Sequence, residues 1–138
     1  MPQGQLSLEL AMLALLAGLA ASLWIPYIVG VNMHPQEGRD PFDRPPSLSE
    51  FPAWVHRAHR AHLNLLEQFL PFAVLVLLIH QIGAYSPLTY WTTIVFATLR
   101  VLHTVGMISG VVRFPARPLL FVGGWLCCLM LVYAVSTA

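Results

Sequence analysis

Apolar positions along the chain gather into four long runs separated by polar breaks. The runs cover about residues 6–31, 51–82, 87–112 and 115–136, and each meets the roughly 20 residues a helix needs to cross the hydrocarbon core of a bilayer. Short connections between successive helices favour antiparallel neighbours. The pattern therefore predicts an all-α, integral membrane four-helix bundle, left-handed and antiparallel, with residues 1–138 forming a single transmembrane domain.

The breaks differ in character. Residues 32–50 form the one long polar segment, with His34, Glu37, Arg39, Asp40, Asp43 and Arg44 among four prolines, Pro35, Pro41, Pro45 and Pro46. Turn formers without an apolar period predict a loop there. Ser47 and Glu50 then offer capping groups to the second helix, and Pro52 suits a first turn. Ser86 followed by Pro87 marks the start of the third helix in the same way. In the first run, Trp24 and Tyr27 predict aromatic anchoring at one membrane face, with a bend at Pro26 beside it. Glu9 is read as an interfacial carboxylate, a buried partner being the other reading.

Composition strengthens this picture. Hydrophobic residues make up 57% and charged residues 9% of the chain, against a charged share of about 25% in soluble domains. All seven basic residues are arginine and the net charge is +1, which leaves no broad cationic surface for nucleic acid. Cys127 and Cys128 are adjacent in an apolar run, point in different directions on a helix, and read as small buried hydrophobes. Arg39, Arg44, Arg57, Arg60, Arg113 and Arg117 all fall at the first and third loops, so both loops are expected on the cytoplasmic side with the termini opposite. The short length and the lack of a targeting signal lean towards a bacterial inner membrane.

Two stripes carry the chemistry. On the second helix Arg57, Arg60, Asn64, Glu67 and Pro71 recur at a period near 3.5, and Glu67 lies roughly 15 Å along the axis from Arg57. An ionised carboxylate that deep needs a cation or water. The third helix offers Arg100, with His103 and Met107 on the same face; pairing of Glu67 with Arg100, within a chain or between subunits, is expected. Arginines, an amide, a carboxylate and a histidine converging from one side suit a small polyanion. A structural ion pair with arginines on lipid phosphates is the competing view. His56, His59 and His62 fan over roughly 120° of helix, with arginines between them, so no metal site is expected.

The string Arg57-Ala58-His59-Arg60-Ala61-His62-Leu63-Asn64-Leu65-Leu66-Glu67, followed by Phe69, Leu70, Pro71 and Phe72, resembles the membrane-associated proteins in eicosanoid and glutathione metabolism. These include microsomal glutathione transferases and the leukotriene and prostaglandin synthases. A second block, Arg100-Val101-Leu102-His103-Thr104, and the pair Arg113 and Arg117 support the resemblance, which spans essentially the whole chain. It implies a homotrimer in which glutathione, as thiol co-substrate, lies between subunits near the cytoplasmic side. Arg57, Arg60, Asn64, Glu67, Arg100, His103 and Arg113 would bind it, and Arg117 would act on the thiol as the catalytic residue. The second substrate would be lipophilic and arrive from the membrane lipids.

Leu63, Met107, Pro118 and Phe121 depart from the prostaglandin synthase, which has arginine, tyrosine, serine and tyrosine there. The implied activity is thus a glutathione-dependent transferase or peroxidase acting on lipophilic electrophiles. The alternatives are a non-catalytic membrane protein holding a lipid head group or other anionic metabolite in the same intersubunit cleft, and a purely structural trimer.

Overall fold

A computed structural model describes residues 4–38 and 47–138. The expectations placed on Arg39 to Arg44 and on Pro45 and Pro46 lie outside these residues. Among the described residues there are five α-helices: α1 (Leu8–Ser22), α2 (Trp24–Met33), α3 (Ala53–Ile82), α4 (Pro87–Ser109) and α5 (Ala116–Ser136). Four stretches are long and apolar enough to cross a membrane, the first being α1 and α2 together over Leu8–Met33.

The break inside the first span has a local cause. Pro26 has no N–H to give to the carbonyl of Ser22, and its ring would collide with that carbonyl. Ser22 is where α1 ends, and Pro26 falls in the first turn of α2, where no N–H is required. The second span also starts later than its sequence implies. Ser47 Oγ accepts from the Ser49 N–H, closing a 3-10 turn over Leu48–Glu50, and α3 begins only after Pro52. The cap at Ser86 is as expected: its hydroxyl accepts from the Thr89 N–H while the Thr89 hydroxyl accepts from the Ser86 N–H, a capping box followed by Pro87.

Helices α3 and α4 form the middle of the bundle. Both α1 and α5 pack on the pair from either side without touching each other, and α2 leans on α3. The buried face of α3 is Val55, Ala58, Ala61, Leu65, Gln68, Phe72, Val76 and Ile79, a helical stripe interrupted by one amide. Phe72 stacks flat on Phe96 of α4 with centroids 4.0 Å apart, and Leu16, Leu131, Cys127 and Cys128 complete this core. Both cysteines are buried and free.

Polar contacts register the two ends. Glu9 is buried rather than interfacial: its Oε1 accepts a 2.8 Å hydrogen bond from the Thr89 hydroxyl. Glu9 lies in the first turn of α1 and Thr89 in the first turn of α4, so one carboxylate serves the positive ends of two helices. At the opposite end Arg57, near the start of α3, donates from Nε to the Ile108 carbonyl at the end of α4 (3.4 Å).

Candidate functional site

The arginine-bearing end of the bundle opens into a cleft of about 740 Å³ between α3, the end of α4 and the start of α5. One wall is polar. Arg57, Arg60 and Asn64 line it from α3, His103 from α4, and Arg113 and Arg117 from the turn into α5. The other wall is apolar, built from Val112, Phe114, Pro118, Phe121 and Val122. Phe114 is 87% exposed, so the cleft carries an open apolar lip.

The turn that shapes the cleft follows from Gly110. With φ of 76° it takes the left-handed conformation that closes α4. The Val112 N–H folds back onto the Gly106 carbonyl at 3.0 Å. A side chain at Gly110 would also meet the Arg57 guanidinium, with Cζ 3.2 Å from an added Cβ. Arg57 thus rests on the carbonyl end of α4, where a cation is favoured. Arg113 Nε donates to the Gly110 carbonyl (3.3 Å). Among the described residues, four guanidinium groups and no carboxylate line the cleft, and the N-terminus of α5 adds its positive end. The chemistry of such an arrangement is suited to an anion.

Two predicted members stand apart from this cleft. Glu67 is exposed on the outer face of α3, one helical step away from its buried stripe. Arg100 is fully buried. Within the chain its partner is Gln68 rather than Glu67: Nη1 donates to Gln68 Oε1 at 2.8 Å, and Nη2 reaches His103 Nδ1 at 3.2 Å. Its Cζ lies 5.9 Å from the centre of the Phe121 ring. Arg100 Nε and the Thr104 hydroxyl are buried without a partner among the described residues. Six of the eight predicted residues are therefore brought together, with Arg100 behind the His103 floor and Glu67 facing outward.

Gln68 is the residue that sequence reasoning passed over. Besides accepting from Arg100, its Nε2 donates to the Phe121 carbonyl at 2.7 Å, so one amide joins α3, α4 and α5. The available signal was its place four residues after Asn64, on the buried stripe rather than the arginine stripe. Met107 also has a changed meaning. It is buried, and its sulfur accepts from Asn64 Nδ2 at 3.7 Å, so a thioether orients the amide where the resemblance expects a phenol.

His59 packs against Tyr27 of α2 with ring centroids 4.5 Å apart and planes tilted by 46°, which packs the α2 end of the bundle. A family model for the MAPEG family matches residues 10–137. No curated protein matches the chain. The matched stretch runs from α1 to the last turn of α5 and includes the whole cleft, and the chain belongs to the MAPEG family, which includes glutathione-dependent transferases and peroxidases.

Proposed function

We propose that the protein is a glutathione-dependent membrane transferase or peroxidase acting on lipophilic electrophiles. The observation that carries this reading is the two-sided cleft, with Arg60, Asn64, His103, Arg113 and Arg117 facing Phe114, Phe121 and Val122. The polar wall suits the carboxylates of the tripeptide, and the apolar wall suits a co-substrate entering from lipid. Arg117 is the catalytic residue: a guanidinium beside the thiol favours thiolate, the nucleophile for conjugation or peroxide reduction. Arg57, tied to α4, shapes the cleft as well as adding charge.

The outward position of Glu67 supports a homotrimer. A charged side chain facing mid-bilayer lipid costs roughly 3 kcal/mol or more, and a neighbouring subunit would cover it and bring glutathione within its reach. The first and third loops would face the cytoplasm, by the arginine placement.

Isothermal titration of the purified protein with glutathione, beside Arg117→Ala, tests the reading. Binding with loss of conjugation in the variant is expected. No binding at millimolar glutathione sinks the function, and conjugation untouched by Arg117→Ala removes only the catalytic assignment. A second reading is favoured by the occupied state of Asn64 and Arg57, which leaves Arg60, Arg113 and Arg117 at the mouth: a non-catalytic site for an anionic lipid head group. A phospholipid retained in native mass spectrometry and unmoved by excess glutathione would support it.

A further inference from the structure

We propose that Gln68 is the positioning residue of the cleft, holding the donors on both of its sides through one buried amide. The inference rests on the glutathione reading for its kinetic consequence, but its structural half stands without it.

Gln68 does not line the cleft, and it is 5% exposed. Its two amide atoms point to the two helices that supply the far side of the cleft. Oε1 accepts from Arg100 Nη1. The same guanidinium is within hydrogen-bond distance of His103 Nδ1 through Nη2. A guanidinium only donates, so Nδ1 must offer its lone pair and the ring proton of neutral His103 resides on Nε2. His103 lines the cleft, and the Nε2–H is then the ring donor left for a ligand. Gln68 orients Arg100, and Arg100 selects the tautomer.

The amide nitrogen acts on the other helix. Gln68 Nε2 donates to the Phe121 carbonyl, one turn beyond Arg117 on α5. Phe121 and Arg117 both line the cleft, so a hold on this carbonyl sets the rotation of α5 and the placement of both side chains. Gly124 leaves the room: a Cβ there would collide with Gln68 Oε1. Removing the amide therefore loosens His103 on α4 and Arg117 on α5 together, while Arg60 and Asn64 on α3 stay in place.

Two substitutions separate the arms. Gln68→Glu keeps an acceptor for Arg100 and loses the donor to Phe121; Gln68→Met loses both. NMR of the full-length protein in bilayer discs, with isotope-labelled histidine ring nitrogens assigned by His103→Asn, reads the tautomer directly. The Nε2–H form is expected in the native protein and in Gln68→Glu, with a mixture in Gln68→Met. Turnover should fall on the order of a hundredfold in both variants, the scale of a displacement near 1 Å at a reacting group, with a rise in KM added in Gln68→Met, where the His103 donor is also lost.

A native His103 protonated on Nδ1, or a folded Gln68→Met with an unchanged tautomer, overturns the α4 arm. Undiminished turnover in Gln68→Glu overturns the α5 arm, and this variant carries the test if Gln68→Met does not fold. A purely structural amide would lower thermal stability in both variants and leave the tautomer and kcat unmoved. If the native protein binds no glutathione, the proposed function fails, while the tautomer measurement still decides the Gln68 to Arg100 link.

Discussion

Gly124 and Gln68 show how much a single missing side chain can permit. Gln68 occupies the space a Cβ at position 124 would need, and both atoms of its amide are committed. Gly124→Ala therefore forces the amide aside. Overpacking of this kind costs about 1–3 kcal/mol, and the displaced amide leaves Arg100 short of an acceptor. Unfolding in mixed detergent should show a loss in that range, larger than for an alanine at Gly18, where nothing lies within reach of an added Cβ. The chemistry of the cleft residues was legible at this scale, because Arg60, Asn64, His103 and Arg117 stand at helical spacings. Gln68 was not, since one amide on an otherwise apolar stripe gives no hint of the two helices it will meet.

At the scale of the helix, the ends are where local rules and tertiary context part. Ser86 and Pro87 announce the start of α4 from sequence alone, and Pro26 announces the bend that separates α1 from α2. The burial of Glu9 could not be read the same way, because it depends on the start of α4 arriving 80 residues later to offer the Thr89 hydroxyl. That contact ties together the first turns of two helices that pack directly on each other. Glu9→Ala should destabilise the protein by about 1.5–3 kcal/mol, the range for a hydrogen bond to a charged group. Hydrogen exchange should localise the loss to the first turns of α1 and α4, leaving the cleft end protected; equal loosening at both ends would contradict the assignment.

Across the whole molecule, the four spans and their antiparallel order followed from run lengths and short connections. The packing order, with α3 and α4 central, did not, although these two spans are the least apolar and carry the polar stripes. The expected pairing of Glu67 with Arg100 illustrates the limit: helical period places both at similar depth, but a one-step rotation of α3 turns Glu67 outward and Gln68 inward. Glu67→Gln is the corresponding test of assembly. Where a neighbouring subunit covers this face, neutralising the carboxylate should shift the stability of the oligomer in size-exclusion and cross-linking measurements. A monomeric native protein with the same sedimentation as the variant would remove the trimer from the proposal.

The buried Arg100 also bears on how the chain enters the membrane. Taken singly, α4 would carry an unpaired guanidinium into hydrocarbon, at roughly 3 kcal/mol on insertion scales, whereas α3 brings the Gln68 acceptor and is joined to α4 by four residues, 83–86. The two spans should therefore integrate as one hairpin during synthesis. Glycosylation mapping in a translocon assay should find α4 inserting poorly when α3 is replaced by a polyleucine segment, and well when Arg100 is changed to leucine in the same chimera. A fold that keeps a cation at its centre thereby ties its biogenesis to a partner made one helix earlier.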